Sequence, residues 1–91
     1  MHWKLFATLA ETAGEREVDV DVEPDATLDD ALAALLDRHP ALEDEILADG
    51  EVRDHIRLLH NGEDPFVSGE GLDTDLDDGD ELAAFPPVSG G

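Results

Sequence analysis

Ninety-one residues without a cysteine make one small domain whose stability must come from packing, with neither disulfides nor thiolate metal ligands. Twenty-five acidic side chains stand against five basic ones (Lys4, Arg16, Arg38, Arg53 and Arg57), and the net charge of −20 disfavours nucleic acid and membrane surfaces as partners. No apolar run approaches a membrane span and no signal-peptide pattern opens the chain, so the expected location is cytoplasmic.

His2 to Ala7 reads as a first strand, with Trp3 and Leu5 on one face and His2, Lys4 and Phe6 on the other. Thr8 to Gly14 is short and mixed, enough for one helical turn that Gly14 closes. From Glu17 to Glu23, Val18, Val20 and Val22 alternate with acids, which predicts a half-buried strand. Thr27 is placed to cap a helix, with Asp30 at the reciprocal capping position. Leu28, Ala31, Leu32, Leu35 and Leu36 give that helix one apolar stripe, and Pro40 stops it near Arg38-His39. Pro40 also opens a shorter helix with Leu42, Ile46 and Leu47 inward, ended by Asp49-Gly50.

Val52 to His60 predicts another strand, and Asn61-Gly62 a hairpin whose short return strand is Phe66-Val67. Ser68 to Asp80 is a Gly- and Asp-rich connection that Leu72 and Leu76 pin to the core, and Glu81 to Phe85 is the last strand. The expected class is α+β: a mixed sheet of four to five strands packed on one main helix, plus a short second helix. The domain is expected over residues 1–85, with residues 86–91 as a tail. Apolar content of 41% with this periodicity argues against disorder, and the acid reads as a solvating coat suited to concentrated salt.

Chemistry is hard to find within the domain. Asp73, Asp75, Asp77 and Gly79 suggest a calcium loop, but from Asp73 the sixth and twelfth positions are Asp78 and Ala84, where Gly and Glu are needed. His2, His39, His55 and His60 do not share a spacing that suits one ion; on one strand His55 and His60 would face opposite ways. No metal is expected. The carboxylates are spread over every polar face, Ser68 and Ser89 have no histidine at readable spacing, and no phosphate loop is present. No catalytic residue is expected and no bound cofactor.

The tail is different. Pro86-Pro87 hold the chain in an extended stem, so Pro86 to Gly91 can reach roughly 20 Å from the domain. Gly90-Gly91 carry no Cβ atoms, so a partner can close on their backbone from all sides and reach the Gly91 carboxylate. The expected recognition residues are Phe85, Pro86, Pro87, Val88, Ser89 and Gly90, with Val88 as the apolar anchor. A frayed, idle tail is the opposing reading.

Several blocks carry a resemblance: Trp3-Lys4-Leu5-Phe6-Ala7 with Leu9-Ala10-Glu11 and Ala13-Gly14, then Thr27-Leu28, His39-Pro40 and Asn61-Gly62. The most specific runs from Gly79-Asp80-Glu81-Leu82 through Ala83-Ala84-Phe85-Pro86-Pro87-Val88-Ser89 to Gly90-Gly91. Together they make the chain similar to the ubiquitin-like β-grasp family, and within it to the small archaeal modifier proteins and the MoaD-like sulfur carriers. The resemblance implies that an E1-like adenylating partner activates the Gly91 carboxylate with ATP. Two fates are then implied: an isopeptide bond to lysines of target proteins, or a C-terminal thiocarboxylate. In the second case the partner is the large subunit of molybdopterin synthase, in molybdenum cofactor biosynthesis, or a tRNA thiolation system. The resemblance places partner contact along Phe85 to Gly91 and at Leu82 with the adjoining strand faces. Lys4, the sole lysine, is the candidate acceptor if chains of this protein form. A non-covalent interaction domain with an idle tail is the remaining alternative.

Overall fold

The computed structural model of the chain describes residues 1–53, 55–77 and 79–86. Strand β1 (His2–Leu5) buries Trp3 and Leu5 and leaves His2 and Lys4 half-exposed on its other face. It stops two residues earlier than expected, because Ala7 takes a positive φ of 51° and turns the chain into α1 (Thr8–Ala13). That helix has six residues rather than a single turn, and Gly14 closes it in the left-handed conformation. β2 (Glu17–Asp19) is much shorter than the valine alternation. Glu17, Val18 and Asp19 pair with Lys4, Trp3 and His2, Val20 exchanges hydrogen bonds with Met1, and the pairing ends there. Val20 is still buried and Val22 still packs against the core, so the apolar half of the pattern holds where the strand does not.

α2 (Leu28–Arg38) begins at the expected capping box. Thr27 Oγ1 accepts from the Asp30 amide, and Asp30 Oδ2 accepts from the Thr27 amide at 3.0 Å. Asp29 and Asp30 lie at its positive end and Arg38 at its negative end, which complements the helix dipole. Leu28, Ala31, Leu32 and Leu35 form the buried stripe. The fully buried Trp3 donates its indole N–H to the Ala31 carbonyl at 3.2 Å, fixing α2 across the sheet while leaving no buried donor idle.

Pro40 ends α2, and the 3₁₀ turn Pro40–Leu42 runs into α3 (Glu43–Ile46), burying Leu42 and Ile46. Asp49-Gly50, expected to end that helix, instead turns a hairpin between β3 (Leu47–Ala48) and β4 (Glu51–Val52). Their φ values of 54° and 82° are the paired positive angles of a two-residue hairpin turn. The expected strand Val52–His60 is thus broken into β4 and β5 (Arg57–His60), with His55 off the strand in a turn.

Asn61 and Gly62 turn the chain at φ 51° and 83°, and His60 and Glu63 exchange backbone hydrogen bonds of 2.8 and 3.0 Å. The expected return strand at Phe66-Val67 does not form. Asp64 caps α4 (Pro65–Ser68) by accepting from the Phe66 amide at 2.9 Å, and Pro65 occupies its first turn. An Asp-Pro helix start outweighs the β propensity of the two residues behind it. A 3₁₀ turn at Gly71–Asp73 follows, and the loop is then strapped across the start of α2: Leu28 N donates to Thr74 O (2.9 Å) and Leu76 N to Ala26 O (3.0 Å). Leu76 is buried and Leu72 packs against the core, as expected.

β6 (Glu81–Phe85) lies inside the sheet, parallel to β1 and antiparallel to β5, in the order β2-β1-β6-β5. The architecture is the expected α+β one, a mixed four-stranded sheet covered by α2, with β3 and β4 forming a separate hairpin. No helix among the described residues is long and apolar enough to cross a membrane.

Candidate functional site

β6 is the last strand before the C-terminal residues, and its two faces differ. Along β6, Leu82 and Ala84 are fully buried, while Glu81, Ala83 and Phe85 face the other way. Leu82, expected to touch a partner, is therefore core; its outward neighbours Ala83 and Phe85 are the accessible pair. The register sets Ala83 between Lys4 and Leu59, and Phe85 beside Arg57. Phe6 stacks on Phe85 with ring centroids 4.3 Å apart and planes 8° from parallel. The end of the sheet around Phe85 thus carries Phe6, Phe85, Ala83 and Leu59, flanked by two of the five basic side chains, Lys4 and Arg57. On a surface so rich in acid, a cation-flanked apolar patch stands apart.

Lys4 Nζ lies 3.0 Å from Glu81 Oε1, and both side chains are about half-exposed. The pair is exposed to screening and contributes about 0.2–1 kcal/mol at most.

The start of β6 is clasped more firmly. Asp80 accepts hydrogen bonds from His60 Nε2 (2.7 Å), Asn61 Nδ2 (3.0 Å) and the Asp77 amide (2.8 Å). The His60 contact chiefly, with help from the other two and against the penalty of burial, holds the Asp80 carboxyl down to about 2. Asn61 Oδ1 in turn accepts from the Glu81 amide at 2.8 Å, so the Asn61-Gly62 turn anchors the strand as well as reversing the chain.

His2 sits between Asp19 Oδ1 (2.7 Å) and Glu17 Oε1 (2.9 Å). The Asp19 hydrogen bond first, then that of Glu17, raises the His2 pKa, and His2 lowers that of Asp19. His39 Nε2 lies 2.8 Å from Glu15 Oε2. These histidines pair with one or two carboxylates each, and no group of three or more potential ligands is arranged for a metal among the described residues.

Of the expected tail contacts, Phe85 ends β6 and Pro86 follows half-buried, while Pro87, Val88, Ser89, Gly90 and Gly91 lie outside the described residues. The structure adds Phe6, Leu59, Ala83 and Arg57 around Phe85 and Lys4. Alternation alone had put Phe6 on the outward face. Its meeting with Phe85 depends on the parallel β1–β6 register, which no local pattern encodes.

The ThiS family profile matches residues 3–91. Small archaeal modifier protein 1 of Haloferax volcanii is 58% identical over 92 residues, covering 100% of both chains. A crystal structure of SAMP1 from Haloferax volcanii superposes with a TM-score of 0.91 at 56% identity, covering 100% of this chain and 98% of that one. A chain of the BexX/CysO complex of Amycolatopsis orientalis gives a TM-score of 0.83 at 26% identity, covering 99% of this chain and 98% of that one. The sheet and helix order described above is thus the ubiquitin-like β-grasp, and the chain belongs to the ThiS family.

Proposed function

We propose that this chain is a ubiquitin-like protein modifier acting through the carboxyl group of Gly91. Residues 1–85 are the domain a partner grips, and residues 86–91 are the arm that enters the partner's active site. The observation that carries this reading is identity of 58% over the whole length of a small archaeal modifier protein, Gly-Gly terminus included in the family match. The cation-flanked aromatic patch at the root of the tail supports it, since it offers an activating enzyme a grip beside the arm.

An E1-like adenylating enzyme is the partner and ATP its substrate. The Gly91 carboxylate attacks the α-phosphorus and pyrophosphate leaves. The resulting acyl adenylate has in AMP the leaving group that an ionised carboxylate lacks. A lysine ε-amine of a target protein then attacks the carbonyl carbon, AMP departs, the amine gives up a proton, and an isopeptide bond remains. The chain is substrate throughout, binds no cofactor and supplies no catalytic group. Pro86 and Pro87 keep the arm extended, Val88 anchors it, and Ser89 and Gly90 pass through a narrow channel. Lys4 is the candidate acceptor on this chain itself. The setting is the cytoplasm.

The ThiS family match admits a second reading of the same terminus, and the absence of cysteine fits both. If sulfide rather than an amine displaces AMP, Gly91 becomes a thiocarboxylate that carries sulfur, to the large subunit of molybdopterin synthase or to tRNA thiolation. Affinity capture with the full chain and with a Gly90-Gly91 deletion, followed by peptide mapping, tests both. Gly-Gly remnants on target lysines, present only with the full chain, support the modifier. A free protein heavier by the exchange of one oxygen for sulfur supports the carrier. Equal capture by both chains, with neither product, refutes both.

A further inference from the structure

The helix side of the molecule carries a second apolar surface, away from Phe85 at the end of β6. Leu32 and Leu36 of α2, Leu47 of β3 and Leu72 of the Gly71–Asp73 turn line a groove of about 360 Å³. Asp29, Asp37 and Glu43 also line it and are exposed, so a leucine floor has a carboxylate rim. The same turn carries apolar surface out to α4. A Cβ on Gly71 would come within 3.2 Å of the Phe66 ring, and φ there is +62°, so glycine lets the ring lie against the turn. Phe66 remains 53% exposed and Val67 83% exposed. Scattered apolar side chains need no explanation, but Phe66 lies against the turn whose Leu72 lines the groove, so the two apolar surfaces adjoin.

We propose that this groove docks a basic peptide segment of a partner protein, in which lysine or arginine flanks one or two large apolar side chains. The apolar anchor fits the leucine floor, and Phe66 and Val67 extend it. The rim selects the charge: Asp29, Asp37 and Glu43 surround the groove, and the exposed Glu63, Glu70 and Asp73 border α4 and its neighbouring turn. A second copy of this chain brings a net charge of −20 and is repelled from such a rim. The groove is also independent of the tail. α4 follows His60, whose register partner is Leu82, whereas Phe85 lies at the other end of β6 on the sheet face turned from α2. A partner held here recognises the chain while Gly91 is engaged elsewhere.

The test is selection of a displayed library of random peptides on the immobilised full chain at about 0.15 M KCl, where the screening length of about 8 Å leaves the rim able to select charge. Enriched peptides are expected to carry lysine or arginine around one or two large apolar residues. Their affinity should fall by about tenfold or more with Val67→Glu or with Asp37→Lys, both at exposed positions where the fold is not at risk. Amide shifts on binding should move at Leu36, Leu47, Val67 and Leu72 and stay still at Ala83 and Phe85. The Gly90-Gly91 deletion should bind as tightly as the full chain, which separates this proposal from the chemistry of the terminus. Selected peptides without a basic bias, binding indifferent to both variants, or shifts confined to the sheet face would overturn it. So would a concentration-dependent dimer abolished by Val67→Glu, since the occupant would then be a second copy.

Discussion

Ala7 sits where glycine is the natural residue. Its φ of 51° and ψ of −126° place it at the first central position of a turn closed by Leu9 N donating to Phe6 O at 3.2 Å. Those angles belong to a type II′ turn, which favours glycine because a Cβ is crowded there. Backbone strain of this kind amounts to about 1–3 kcal/mol. Glycine would relieve it and would add about 0.4–1 kcal/mol of chain entropy to be lost on folding. Relief is the larger effect, so Ala7→Gly is expected to stabilise the domain by about 1 kcal/mol, which raises Tm by about 4–8 °C at this size. Thermal denaturation by circular dichroism checks it, and a lower Tm would mean that the turn is relaxed in solution. The turn also ends β1 and sets Phe6 against Phe85, the last residue of β6.

At the scale of the element, β6 is held at both ends, by the Asp80 clasp at its start and by the Phe6 stack at its finish. The clasp has a defined pH dependence. The Asp80 carboxyl is held down to about 2 from an ordinary value of 3.8, so its contribution is complete above the ordinary value and is lost as pH falls through the lower one. Asp80→Asn is therefore expected to melt below the parent chain at neutral pH, with the gap closing as pH falls from about 4 towards 2. Paired melts at constant KCl read this directly, and a gap that held constant to the acid limit would show that the ionised carboxylate is not what matters. The elements differ in how legible they were. β6, α2 and its capping box follow from local patterns, a short apolar run from Leu82 to Phe85 in one case and a spaced stripe with Thr27 and Asp30 in the other. Phe66-Val67 reads as strand by side-chain type, yet the backbone obeys Asp64-Pro65 in front of it. Asp49-Gly50 serves equally as a helix end or a hairpin turn, and only the pairing of Leu47 with Val52 decides. The candidate site was half visible for the same reason. Phe85 and Lys4 stand out in the sequence, but the company of Phe6, Leu59 and Arg57 is a product of register between distant strands.

For the whole molecule the governing quantity is charge. The core is one apolar cluster from Trp3 to Ala84, which carries no charge of its own. Around it lies a net charge of −20, with few cations to offset it: Lys4 pairs with Glu81, and Arg38 approaches Glu15. The screening length is about 10 Å at 0.1 M salt and about 3 Å at 1 M. The radius of gyration is 12.1 Å, so in dilute salt carboxylates across much of the molecule repel one another, whereas in molar salt only near neighbours do. Unfolding spreads the charges apart and is favoured whenever the repulsion is unscreened. Tm is therefore expected to climb steadily from dilute buffer to molar KCl, and equally with NaCl at matched ionic strength. The buried Trp3, the chain's single tryptophan, reports the same transition through its fluorescence. Screening further predicts that charge reversals at exposed acids, such as Asp37→Lys, raise Tm in dilute buffer and lose that advantage in molar salt. A Tm that ignored KCl, or a reversal whose effect was the same at both ionic strengths, would assign the acidic coat to something other than repulsion held in check by salt.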